Sequence, residues 1–91
     1  MRWEIEFGGL AEQDRLEAHL STRGISIDDI VSAAANAIPR RKGSRIYLFG
    51  RAQSGEPIVV VLTPAGKQWH PGTAWVMDSR ERRWWLSHGG R

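Results

Sequence analysis

The residues best suited to chemistry gather in one stretch, Gln68 to Leu86 (QWHPGTAWVMDSRERRWWL). It holds His70, the arginines Arg80, Arg82 and Arg83, and four of the five tryptophans: Trp69, Trp75, Trp84 and Trp85. Imidazole titrates at about 6.5 when unperturbed, so it can take or give a proton near neutrality. Guanidinium groups stabilise charge building on a phosphate. On a helix Arg80 and Arg83, three apart, share a face and could meet one anion. Lys67 stands just ahead of His70, and Arg51 closes an earlier strand-like segment. Indoles beside cations are a common grip on a nucleic acid or an acidic partner. The same residues have plainer readings. His70 before Pro71 can cap a turn, and Thr73 suits a strand for its own sake. Trp84 and Trp85, about 100° apart on a helix, would send one ring into the core and the other to the surface.

A chain of 91 residues makes one domain (1–91) near the lower limit of independent folding, so its large side chains are needed inside. It has no cysteine, hence neither a disulfide framework nor a thiolate site. His19, His70 and His88 show no ligand spacing, so neither metal nor other cofactor is expected. No apolar run nears the roughly 20 residues of a membrane span, and MRWEIEFGG lacks the apolar core of a signal peptide. A cytoplasmic protein is the expectation. The net charge of +3 is unevenly placed. Residues 1–38 carry three basic and seven acidic side chains, and residues 39–91 carry ten basic and three acidic ones. The C-terminal part is therefore a candidate surface for a polyanion.

These residues need elements to position them. Arg2 to Phe7 alternates, with Trp3, Ile5 and Phe7 on one side and Arg2, Glu4 and Glu6 on the other, which predicts a strand. Gly8-Gly9 reads as a plain turn. Leu10 to Thr22 reads as a helix stopped by Gly24, with His19 packed beside its apolar stripe. Ser26 and Asp29 open a second helix whose stripe Ile27, Ile30, Val31, Ala34, Ile38 runs to Pro39. Arg40 to Ser44 reads as a basic turn, of interest only if it folds beside the C-terminal arginines. Strands follow over Arg45–Arg51 and Pro57–Thr63, the latter apolar on both sides like a central strand. Pro64-Ala65-Gly66 reads as a tight turn. A last strand, Lys67–Met77, is interrupted at Pro71-Gly72, and a final helix is capped by Asp78 or Ser79 with Glu81 assisting. The predicted order is β-α-α-β-β-β-α, an α+β domain with an antiparallel sheet packed by helices.

That order and several local words resemble the BrnT branch of the RelE/ParE-like toxins of bacterial toxin–antitoxin systems. Thr22-Arg23-Gly24-Ile25-Ser26-Ile27-Asp28-Asp29 is similar to the family's step into its second helix. Leu48-Phe49-Gly50-Arg51, the Ile58–Leu62 strand, Thr73-Ala74 and Arg80-Glu81-Arg82-Arg83 follow in the family's sequence. The resemblance spans nearly the whole chain, and the order of its short motifs carries it. It implies a type II toxin: a metal-independent endoribonuclease that cleaves RNA, inhibits translation and is neutralised by a cognate antitoxin. On that reading His70, Arg80, Arg83 and Lys67 are the catalytic candidates. Arg51, Thr73, Trp75, Arg82 and Trp84 are the RNA-binding ones. Trp75 stands where many family members have an arginine, which removes a phosphate contact and offers a stacking ring instead. The alternative is a non-catalytic nucleic-acid-binding or partner-binding module on the same scaffold.

Overall fold

A computed structural model describes residues 3–91. Helices α1 (Leu10–Ser21) and α2 (Ile27–Ala35) come first, then strands β1 (Ile38–Lys42), β2 (Arg45–Arg51), β3 (Pro57–Ala65) and β4 (Gln68–Val76), then helix α3 (Ser79–Ser87). The strands form one antiparallel sheet in the order β1-β2-β3-β4. The α+β class is as expected, but the order is α-α-β-β-β-β-α.

Two corrections produce that difference. Among its described residues the N-terminal segment is extended yet forms one bridge, pairing Ile5 with Trp69 in parallel at the free edge of β4. Glu6 N–H donates to the Trp69 carbonyl and Trp69 N–H to the Glu4 carbonyl, each at 2.8 Å. Trp3, Ile5 and Phe7 do pack against the core, while Arg2 lies outside the described residues. The second correction is β1. The helical stripe stops at Ala35 rather than Ile38, and the supposed basic turn is a strand of sequence IPRRK paired with β2. Gly43-Ser44 alone makes the turn, with Gly43 at φ +61°. Glycine at the first position of a two-residue loop matches the twist of a hairpin. Gly66-Lys67 makes the β3–β4 turn in the same way, with Gly66 at φ +62°.

The helix ends are set by short-range chemistry. Ser26 Oγ accepts from Asp29 N–H while Asp29 returns a bond to Ser26 N–H. Asp78 and Glu81 do the same at the start of α3. Each such reciprocal cap satisfies two otherwise unpaired donors.

The sheet separates two apolar clusters. On one face Leu48, Val60 and Ala74, neighbours across three strands, meet Leu16 and Leu20 of α1 and Ile30 and Ala33 of α2. On the other, Phe49 and Val59 meet Met77 and Trp85. Trp85 is the buried member of the tryptophan pair and Trp84 the bordering one. At Pro71-Gly72 the register shifts, Val61 pairing with Thr73 but Leu62 with Pro71, so Gly72 is the extra residue of a β-bulge. Among the described residues no helix is long and apolar enough to cross a membrane.

Helix α2 rests almost directly on β2 at Gly50, where a Cβ would sit 2.5 Å from the Ala33 carbonyl oxygen. Gly50→Ala must push the helix away and is expected to cost about 1–3 kcal/mol. Gly72→Ala, where a Cβ meets nothing closer than the Val61 carbonyl oxygen at 4.0 Å, is expected to change stability by less than about 0.5 kcal/mol. Urea unfolding of both variants checks this, and equal losses would contradict the close approach.

Candidate nucleic-acid interface

Register places two rows of cross-strand neighbours on the face that α3 packs. One is Arg40–Tyr47–Val61–Thr73 and the other Ile38–Phe49–Val59–Trp75. Helix α3 sits on the second row through Trp84 and Trp85. The first row crosses the sheet from the free edge of β1 to the bulged edge of β4, three strand spacings or about 14 Å.

Cations on this face lie over aromatic rings. The Arg40 guanidinium is 4.9 Å from the centre of Trp84, and Lys42 Nζ is 5.3 Å from the centre of Tyr47. Arg40, Lys42 and their neighbour Arg41 are exposed, as are Arg80, Arg82 and Arg83. The basic run after Pro39 thus folds beside α3, the circumstance that gives it functional interest. A ring beneath a cation holds it in place while leaving its outer side to solvent. Phosphate is the ligand such a surface suits.

The rings themselves are already occupied. Trp84 stacks on His88 at 4.2 Å and lies 4.6 Å from Phe49. Trp75 meets Tyr47 edge-on at 6.0 Å, and its indole N–H donates to both Glu81 carboxylate oxygens at 3.0 and 3.2 Å. Trp75 and Trp84 therefore support the cationic face rather than offering free platforms for bases. His88 takes part in the C-terminal cap of α3, with Nδ1 2.7 Å from the Trp84 carbonyl.

Arg51 is committed too. Its guanidinium lies 4.8 Å from the centre of Trp85, Nη1 donates to the Gly55 carbonyl at 2.6 Å and Nε donates to the Arg91 carbonyl. It ties the β2–β3 turn and the C-terminal segment to α3. Gly90 packs so tightly on Trp85 that a Cβ there would lie 2.4 Å from the ring.

His70 stands apart from the α3 arginines. Its strand partner is Thr63, whereas Val76, where β4 hands over to α3, pairs with Ile58. Those partners are five residues apart on β3, or about 17 Å. The fold therefore sets His70 apart from Arg80 and Arg83, which the resemblance groups with it as catalytic candidates. Lys67 lies exposed in the hairpin tip.

His70 instead lines a cavity of about 260 Å³ between α1 and the bulge, with Glu12, Arg15, Leu16, His19, Pro71 and Gly72. Its Nδ1 is 3.1 Å from the Glu6 carbonyl oxygen. A carbonyl only accepts, so Nδ1 carries a proton, and in the neutral ring Nε2 is the acceptor. His19, expected to pack beside the core, is exposed. Its Nε2 is 2.9 Å from Thr73 Oγ1 and 3.1 Å from Arg23 Nη1. The sequence carried one sign of this in the His19–Arg23 spacing of one helical turn. The Thr73 contact, which joins residues 54 apart in sequence, carried none.

A second concavity, lined by Trp3, Ile5, Phe7, Val31, Ala34 and Ala35, is apolar and suits no anion. Among the described residues no three His, Cys, Asp or Glu side chains cluster as a metal site would require. Comparison with family models, with curated proteins and with solved structures finds no match to this chain.

If Arg51 is a tie rather than a ligand contact, Arg51→Ala should lower stability by about 1–2 kcal/mol, the sum of a cation–ring contact and its hydrogen bonds. Denaturant unfolding measures it. Unchanged stability with weakened RNA binding would return Arg51 to the binding surface.

Proposed function

We propose that this protein binds single-stranded RNA through the sheet face shared by β1, β2 and α3, and that it acts there as a toxin-like, metal-independent endoribonuclease restrained by a cognate antitoxin. The observation that carries the binding is the pair of cation-topped rings, Arg40 over Trp84 and Lys42 over Tyr47, beside the exposed Arg80, Arg82 and Arg83. Cations fixed in this way meet phosphates without reading bases, which gives salt-sensitive binding with little sequence preference. Phosphates are common to RNA and DNA, and the resemblance of the sequence to RNA-cleaving toxins assigns RNA.

A second reading, a binding module without catalysis, draws support from the separation of His70 and α3. Arg80 and Arg83 follow the end of β4 that lies about 17 Å of strand from His70, too far to neutralise charge developing at its imidazole. Expression of the chain, with growth and RNA integrity followed, decides between the readings. Growth arrest with RNA fragmentation supports the toxin, while salt-sensitive binding of intact RNA supports the module.

Arg40→Ala with Lys42→Ala should weaken binding of a short single-stranded RNA and flatten its salt dependence. Loss of two phosphate contacts reduces the magnitude of the slope of log K against log salt by about 1.4. Fluorescence anisotropy at several salt concentrations reads both effects. An unchanged slope would remove this face from the binding surface.

A further inference from the structure

We propose that RNA is cleaved not at α3 but in the cavity between α1 and the β4 bulge, with His70 as the base and His19 as the acid. The proposal rests on the ribonuclease reading above and gives it a centre. His19, His70, Arg15 and Glu12 are among the residues that line the pocket, and Arg23 is bonded to His19. Its volume of about 260 Å³ is some eight times the share of one water in the liquid, roughly 30 Å³. A phosphodiester and the sugar oxygens on either side of it fit that space. The row Arg40–Tyr47–Val61–Thr73 runs from the cationic edge to Thr73, whose hydroxyl touches His19. An RNA held at the cationic β1 edge and laid across the sheet comes to the pocket over the β4 edge, where Thr73 meets His19.

The protonation pattern suits two different roles. His70 donates through Nδ1 to the Glu6 carbonyl, which fixes the ring with Nε2 as acceptor. That nitrogen takes the proton of a ribose 2′-hydroxyl. The 2′-oxygen then bonds to phosphorus, and the bond from phosphorus to the 5′-oxygen breaks. His19 supplies the proton that the departing 5′-oxygen needs. As a neutral ring its Nε2 accepts from Arg23, which can only donate. As imidazolium its Nε2 donates to Thr73 Oγ1, since a hydroxyl accepts as readily as it donates, and Arg23 is released toward the phosphate. Nδ1 then delivers its proton to the leaving oxygen. The products are a 2′,3′-cyclic phosphate and a 5′-hydroxyl. One proton has passed from His19 to His70, and solvent restores both rings.

The charged groups around these rings are consistent with an anionic ligand. Arg15 lines the cavity beside Glu12, whose carboxylate accepts from Gly9 N–H at 3.4 Å in the N-terminal cap of α1. The Glu6 carboxylate accepts from Gly8 N–H at 2.6 Å. Both acids are thus engaged with the backbone, while Arg15 extends from α1 and Arg23 from the segment after it.

The test is the pH profile of cleavage of a short RNA by wild type, His70→Gln and His19→Gln, with product ends identified. Wild type should give a bell-shaped kcat/KM and 2′,3′-cyclic phosphate ends. Each variant should lose about 100-fold or more in kcat while binding RNA with wild-type affinity, which also reports that it is folded. His70→Gln should lose the acidic limb and His19→Gln the alkaline one. Arg80→Ala with Arg83→Ala should raise KM and keep both limbs. Variants that keep the wild-type rate and bell, or wild-type products ending in 3′-hydroxyl and 5′-phosphate, overturn the assignment of this pocket but leave the ribonuclease reading standing. A wild type that binds RNA and does not cleave it overturns both.

Discussion

The run Ile58–Leu62 is buried along its whole length, at 0–5% exposure, and this obliges the molecule to cover both faces of its sheet. Helices α1 and α2 cover one face with aliphatic side chains. Among the described residues the other has α3 alone, a helix of nine residues. The shortfall is made up by rings. Phe49, Tyr47, Trp75, Trp84 and Trp85 pack on that face, and the cations of β1 and β2 close over them. A small domain with little surface to bury thus uses arginine and lysine stems as part of its covering. The positive face arises from a packing need as much as from any ligand.

The same economy separates two kinds of site. Where rings lie beneath cations, the surface is broad, charged and indifferent to shape. Where β4 bulges at Gly72, the sheet edge bends away from a straight ladder, and Thr73, His70 and His19 come together with the N-terminal segment. Bulges re-aim side chains at sheet edges, and this one links the sheet to α1 beside the cavity. The proposed function assigns holding to the first site and chemistry to the second.

Much of the fold was legible in the sequence. The β-branched run of β3, the caps at Ser26 and Asp78 and the interruption at Pro71-Gly72 each have local causes that a sequence displays. β1 was hidden because IPRRK has no apolar alternation and Ile38 falls in step with the helical stripe before it. Its strand state comes from pairing with β2, although Gly43-Ser44 signalled a hairpin. The N-terminal alternation predicts a strand, but the described part of that segment is extended with a single parallel bridge to β4 and is not a strand. The site was less legible. Which cations meet which rings depends on register across strands, and the contact of His19 with Thr73 depends on how α1 lies along β4. Proximity in sequence drew His70 toward Arg80 and Arg83, whereas the rise of an extended strand carries them apart.

The central claim is that the sheet face covered by α3, together with the β4 edge where Thr73 meets His19, receives RNA. Backbone amide shifts followed by NMR as a short single-stranded RNA is added test this most directly. The account predicts that Arg40, Lys42, Tyr47 and Thr73, together with Arg80 to Trp84 and His19, respond as one contiguous surface. Shifts confined to Trp3, Phe7, Val31 and Ala35, around the apolar concavity on the other side, would contradict it.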